Sequence, residues 1–339
     1  MSTRSDSNSP TLVTPSLLRE WPLPAPGEDK YSRGSVLVIG GARATPGAAL
    51  LAGTAALRAG AGKLTLAVAE SVAMQVAVAL PECGAMGLPE TAEGSVTGEG
   101  LDVISSYLDR ADVILVGPGL DDPDLAEELL RGLLEREHGR SSDSRAGDSG
   151  SGDSGSGDSG SGDSGSGDSG SGEENSGSGP AVVLDAYALG GLVKVAGQLG
   201  PWKGRLILTP NPKEAAVLLE REVDDLAADV AEIADKFQAV VSCQGLIARP
   251  SGGDEVEESE LWKMTTGYGG LGTSGSGDVL AGAIAGLRAR GTTGPQAACW
   301  GTHLHAAAAD RLASRMGPLG FLARELADEL PALMLELNT

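Results

Sequence analysis

The chain has 339 residues, 41% of them hydrophobic but only 3% aromatic, and a net charge of −22. That length suits one large domain or two small ones, with a core of Ala, Val, Leu and Ile. The acidic balance argues against a nucleic-acid partner, which needs a basic surface, and against an anionic membrane. Cys83, Cys243 and Cys299 are widely spaced with no Cys-x-x-Cys pair. Neither a disulfide framework nor a zinc site is expected, and a reducing cytoplasmic compartment fits. The N-terminus (Ser2, Arg4, Asp6, Asn8) has no apolar signal core, and no run approaches 18 apolar residues. No membrane span is expected.

Residues 1–30 are polar and Pro-rich and read as a loose, flexible leader. Ser35–Ile39 reads as a buried strand ending at Gly40-Gly41. Pro46–Ala59 reads as a helix with Pro in its first turn, broken by Gly60–Gly62. Leu64–Val68 is a second strand and Val72–Ala79 a second helix. Asp112–Val116 is a strand closed by Gly117-Pro118-Gly119, and Leu125–Glu137 an acidic amphipathic helix. Residues 141–179 repeat the unit Gly-Asp-Ser-Gly-Ser and have almost nothing apolar to bury, so a disordered surface insert is expected. Beyond it, Ala181–Leu184 and Arg205–Leu208 read as strands, ending in Asp185 and Thr209-Pro210. Leu226–Phe237 is a helix, and Ala239–Ser242 and Leu246–Arg249 are strands joined around Gly245. Leu261–Met264 is the last strand, and helices follow at 279–290, about 295–315 and about 319–330. Strand–helix alternation then implies an α/β fold, a mainly parallel sheet with helices on both faces. With the leader and insert removed, the remainder fits a single domain.

The richest stretch is Gly272-Thr273-Ser274-Gly275-Ser276-Gly277-Asp278-Val279-Leu280-Ala281-Gly282. Glycine backbone runs straight into an apolar helical run with one carboxylate at the junction. A helix start offers unpaired N–H groups and the positive end of its dipole, so Gly275, Ser276 and Gly277 can close around a phosphate. Asp278 then stands where a base for phosphoryl transfer is needed. Other phosphate and nucleophile motifs are missing: there is no Gly-x-Gly-x-x-Gly, no Gly-x-x-x-x-Gly-Lys-Ser/Thr and no Gly-x-Ser-x-Gly elbow after a strand. His303 and His305, two apart on a helix, cannot share a face as a metal pair. Four further loops fall at strand ends: Gly40–Pro46, Gly117–Gly119, Asp185-Ala186-Tyr187 and Thr209-Pro210-Asn211-Pro212-Lys213-Glu214. In parallel sheets such ends bind ligands. Asp185 could equally cap the helix that follows it.

Taken together, these loops resemble the ribokinase-like superfamily, and within it the nucleotide-dependent NAD(P)H-hydrate dehydratases. The resemblance runs from about Gly34 to about Leu330, interrupted by 141–179. It rests on Pro46-Gly47-Ala48-Ala49-Leu50-Leu51-Ala52 with Arg58-Ala59-Gly60-Ala61-Gly62, Gly117-Pro118-Gly119-Leu120 and Val183-Leu184-Asp185-Ala186. It continues in Leu208-Thr209-Pro210-Asn211-Pro212-Lys213-Glu214 and Gly275–Gly282. The last stretch marks the superfamily; the Pro-Gly-Ala-Ala-Leu-Leu-Ala run narrows it to the dehydratases.

The resemblance implies a repair reaction on NADHX and NADPHX, nicotinamides hydrated across C5–C6. The C6 hydroxyl is phosphorylated, phosphate leaves and the double bond returns. Bacterial members use ADP and eukaryotic ones ATP, with Mg²⁺. It implies Asp278 as the catalytic base and the 275–277 backbone as the anion hole. Ala49, Gly119, Asn211 and Asp278 fall at hydrate-binding positions. Gln244, Gly245, Leu246, Ile247, Ala248 and Gly277 fall at nucleotide-binding ones, with Glu214 at Mg²⁺ through water. It also implies a homo-oligomer, a tetramer, and the chain before residue 34 leaves no room for a fused epimerase domain. This sequence departs from the family at Asn211 (usually His), at Gln244 (usually Lys) and at Tyr268 (usually Asn). Asn211-x-x-Glu214 also matches the magnesium motif of the superfamily's sugar kinases. A kinase of a small alcohol or vitamin precursor therefore stays open, as does a non-catalytic nucleotide-binding protein.

Overall fold

In the computed structural model, residues 9–25, 27–146, 179–252, 260–267 and 269–338 are described. The repeat between 147 and 178, and Tyr268, lie outside them. The elements in chain order are β1 (Thr11–Val13), α1 (Pro15–Glu20), β2 (Ser35–Ile39), α2 (Pro46–Arg58), β3 (Lys63–Ala69), α3 (Glu70–Ala79) and β4 (Gly84–Leu88). Next come α4 (Ser105–Leu108), β5 (Val113–Val116), α5 (Pro123–Ala146), β6 (Ala181–Leu184), α6 (Tyr187–Val195), β7 (Leu206–Leu208), α7 (Pro212–Leu219) and α8 (Leu226–Phe237). The chain ends with β8 (Val240–Cys243), β9 (Leu246–Ala248), β10 (Leu261–Met264), α9 (Ser276–Ala289), α10 (Gly294–Met316) and α11 (Ala323–Leu337). Among the described residues, no helix is long and apolar enough to cross a membrane.

All ten strands form one open sheet in the order β1-β10-β9-β8-β7-β6-β5-β2-β3-β4. Only β9 runs antiparallel to its neighbours. The expected mainly parallel α/β sheet is therefore what the chain builds. Its interior strands are continuous apolar runs because both faces are covered. One face packs on α2, α9, α10 and α11, the other on α5–α8.

Two parts of the sequence reading change. Residues 9–25 of the expected flexible leader carry β1, which pairs with β10, and α1, capped by Thr14. Trp300 Nε1 donates to Trp21 O at 2.8 Å, and Gln296 Nε2 to Pro22 O at 2.8 Å, fastening this segment to α10. In addition, α5 continues through Ala146, past the expected start of the insert at 141.

Small residues set the geometry that matters for the site. A Cβ on Gly282 would meet Ala52 O at 2.0 Å, and one on Gly286 would meet Ala56 O at 2.3 Å. Only glycine lets α2 and α9 approach this closely. The contacts advance together along both helices, so the pair runs parallel. Both N-termini therefore reach the same edge of the sheet.

Candidate active site

The sheet register lines up the strand ends that feed the site. Ile39 pairs with Val116, Val116 with Leu184, and Leu184 with Leu208. One residue further along each strand stand Gly40, Gly117, Asp185 and Thr209. Their amides continue the ladder: Gly117 N–H donates to Ile39 O, Asp185 N–H to Val116 O and Thr209 N–H to Leu184 O. A Cβ on Gly117 would lie 1.8 Å from Asp185 O, so glycine is required where these two turns touch.

Asp185 is buried, and its Oδ1 accepts the Thr209 hydroxyl at 2.8 Å. Burial, and then the Asp278 charge, push its carboxyl up to about 7. The helix-cap reading of Asp185 does not hold: the N-cap of α6 is Ala186, with no side-chain cap bond. Ala186 has φ +51°, a conformation non-glycine residues rarely adopt outside functional turns.

Asp278 sits in the first turn of α9, whose N-cap is Gly275 with φ +87°. Burial and then the Glu214 charge push Asp278 up to about 6. The carboxylate still predominates at neutral pH, so it can accept a proton. The three amides expected to form an anion hole are not alike. Ser276 N–H already donates to Thr273 O at 3.1 Å, and its hydroxyl is hydrogen-bonded to His305 Nε2 at 3.0 Å. Among the described residues, the N–H groups of Gly275, Gly277 and Asp278 have no acceptor and remain for an anion. Gly277 is exposed, and a Cβ there would touch nothing within 4 Å. Burial pushes His305 down to about 4, which leaves it neutral. His303 is buried beside it, with Nδ1 unpartnered.

Asn211 and Glu214 form a capping box at the start of α7. Asn211 Oδ1 accepts from Lys213 N–H at 2.9 Å and Glu214 N–H at 3.1 Å, and Glu214 Oε2 accepts from Asn211 N–H at 2.8 Å. Burial raises the Glu214 carboxyl. Burial, and then the Glu214 charge, push the Cys243 thiol up to about 12.

On the opposite side, Ala49 is buried in the second turn of α2. Gly119 packs against the start of the same helix: a Cβ there would lie 2.4 Å from Thr45 O and 3.1 Å from Ala48 Cβ. Thr45 Oγ1 and Ala42 N–H both donate to Gly119 O at 2.8 Å. The loops at 40–46 and 117–119 are thus one bonded unit.

The nucleotide-side assignments divide. Gln244 is exposed at the tip of the β8–β9 hairpin, with φ +45°, and Gly245 O accepts Met264 N–H at 2.7 Å. Leu246, Ile247 and Ala248 instead form β9, buried and paired on both sides. Ladder pairing occupies their backbone, and the two core layers hold their side chains.

Sequence reasoning missed Thr209 as the partner of Asp185, and Ser276 as a residue held from α10. Spacing carries no signal for either contact. The signal for α7 is Asn-x-x-Glu with Pro at the first helical position, which reads in the sequence as a loop and a magnesium motif rather than as a capping box.

A family model of the NAD(P)H-hydrate dehydratases matches residues 36–146 and 173–332. The chain belongs to that family. An ADP-dependent (S)-NAD(P)H-hydrate dehydratase of Xanthomonas campestris is 37% identical over 326 residues, covering 95% of each chain. A bifunctional NAD(P)H-hydrate repair enzyme of Moorella thermoacetica is 34% identical over 90% of this chain, which spans 50% of that longer protein. The fold matches the crystal structure of the Bacillus subtilis ADP/ATP-dependent NAD(P)H-hydrate dehydratase co-crystallised with ATP and Mg²⁺. That TM-score is 0.67 at 24% identity, covering 98% of this chain and 99% of the other. Of the dehydratase-family signature, the Pro-Gly-Ala-Ala-Leu-Leu-Ala run is the first turns of α2, and the Gly-rich run opens α9.

Proposed function

We propose that this protein is an ADP-dependent NAD(P)H-hydrate dehydratase that restores NADH and NADPH from (6S)-NADHX and (6S)-NADPHX. The full-length match to the Xanthomonas relative carries this reading. The site supports it chemically. The hydrated ring lies against the 40–49 and 117–119 unit, and the nucleotide lies between the 244–245 turn and the start of α9. Asp278 accepts the proton of the C6 hydroxyl as that oxygen attacks the β-phosphorus of ADP. The bond between the α- and β-phosphoryl groups breaks and AMP departs. Amides at 275, 277 and 278 take up the negative charge that spreads over the transferred group. Phosphate then leaves C6 with its bonding electrons, driven by the ring nitrogen lone pair. Loss of the C5 proton restores the double bond.

The oxygen-rich set of Asp185, Glu214 and Asp278 suits Mg²⁺ rather than a softer metal. Among the described residues no three such side chains converge as a metal cluster. Such an ion would be held mainly by nucleotide phosphates and water, with one protein carboxylate. Glu214 would hold it through water on Oε1, since Oε2 is spent on Asn211. The ion would neutralise phosphate charge.

The test is to incubate NADHX with ADP or ATP and Mg²⁺, following absorbance at 340 nm and phosphate release. Nucleotide-dependent recovery, with one phosphate per NADH, is expected. Phosphoryl transfer to another small alcohol without recovery would instead establish the kinase reading.

A further inference from the structure

Helix α10 is Ala-rich and largely buried, yet its inner side carries three polar side chains that bond to the end of β8, the first residue of α9 and the loop after β10. Thr302 Oγ1 and Ser242 Oγ are hydrogen-bonded at 2.8 Å, both buried, two residues before the Gln244 turn. His305 Nε2 and Ser276 Oγ are hydrogen-bonded at 3.0 Å, again both buried. Asp310 Oδ2 accepts Gly267 N–H at 2.8 Å and the Thr266 hydroxyl. Offsets of three and eight residues from Thr302 keep all three on one broad side of the helix. Contact there is close: Gly267 has φ +96°, and a Cβ on it would lie 2.9 Å from Ala306 Cβ. Packing alone does not call for these groups. A buried hydroxyl or imidazole costs stability unless it is hydrogen-bonded, and an apolar side chain of similar size avoids that cost. Each of the three contacts instead ends on a different segment: the end of β8 beside the Gln244 turn, the first residue of α9, and the 266–267 backbone ahead of the glycine-rich loop.

We propose that Thr302, His305 and Asp310 are positioning residues through which α10 holds the 244–245 turn, the 275–278 anion loop and the 266–267 backbone in one mutual arrangement. None of them touches a ligand. The leading member is His305, which fixes Ser276 so that the neighbouring amides of Gly277 and Asp278 point at the transferred phosphoryl group. The inference rests on reading 275–278 as the phosphoryl site.

The test combines NADHX kinetics with ADP, ADP affinity by calorimetry, and Tm, on His305→Phe, His305→Gln, Ser276→Ala and the Ser276→Ala/His305→Phe double variant. His305→Phe is expected to lower kcat/KM for ADP at least about tenfold with Tm shifted by only a few degrees. His305→Gln, which can still bond Ser276, recovers most of that loss. The double variant is no worse than His305→Phe, because both changes act through one contact. Unchanged kinetics in His305→Phe, or losses that simply multiply in the double variant, overturn the proposal. Should His305→Phe fail to fold, Ser276→Ala and Thr302→Val carry the same test, each expected to lower kcat/KM for ADP while Tm holds. Failure of the wild-type protein to turn over NADHX refutes the functional reading instead. The inference then stands or falls on calorimetric ADP affinity, expected to drop about tenfold in His305→Phe.

Discussion

Asp185 lies deeper than Asp278, and its carboxyl is held up to about 7 against about 6. A folded-state value above the ordinary 3.8 means that the charged form is the penalised one. The wild-type protein is therefore relieved of that penalty below about pH 4 and carries it fully above about pH 7. Asp185→Asn keeps an oxygen for the Thr209 hydroxyl and removes the charge. Urea unfolding is expected to show the variant about 2 kcal/mol more stable than wild type at pH 8, with the gain gone near pH 4. A gain independent of pH would contradict this origin. The sequence pattern singles out Asp278 as a lone carboxylate after alternating glycines, although an acidic first-turn residue of a flexible loop reads the same way; the other strand-end loops and the resemblance decide between them. The pattern exposed Asp185 only as a strand-end acid, since its bond to Thr209 depends on β6 and β7 being neighbours. That Leu246, Ile247 and Ala248 are paired on both sides was not legible for a similar reason: it depends on β10 being the neighbour of β9.

At the scale of elements, the glycines of α9 do different jobs. Gly275 adopts φ +87°, and a Cβ there would meet Leu51 Cδ1 at 2.5 Å, so Gly275→Ala is expected to lower Tm. Gly277 has no such neighbour. Gly277→Ala is expected to fold normally but to raise KM for ADP several-fold, because its methyl enters space left for phosphate. Thermal melts and ADP titrations separate the two outcomes; normal ADP binding in Gly277→Ala would contradict the anion-site assignment. Strongly apolar strands and α9 were legible from pattern alone. Gly84–Leu88 was not, because Gly84 and Gly87 give β4 weak strand character. The start of helix α7 reads as loop in the sequence because Pro210 and Pro212 suggest turns, although Pro212 follows the Asn211 cap. Strand β1 has three residues and one neighbour, too little for a periodic signal.

Across the whole molecule, one sheet register and one parallel helix pair assemble the site. Ile39, Val116, Leu184 and Leu208 deliver four loops to one edge, and α2 and α9 bring their N-termini to the same edge. That convergence follows from α/β alternation, which the sequence shows, and from strand order, which it does not. The family match skips residues 147–172, within the Gly-Asp-Ser-Gly-Ser repeat. A chain in which a short Gly/Ser linker replaces 147–172 is expected to keep kcat and KM within about twofold in the same 340 nm assay. A large loss would assign the repeat a part in the reaction. Asp278, as the group that takes the hydroxyl proton, is the residue on which the proposed reaction turns. The decisive measurement is NADHX turnover with saturating ADP for wild type and Asp278→Asn, with ADP affinity measured alongside. Turnover is predicted to fall at least about a thousandfold while ADP affinity stays within a few-fold; turnover within tenfold of wild type would contradict it.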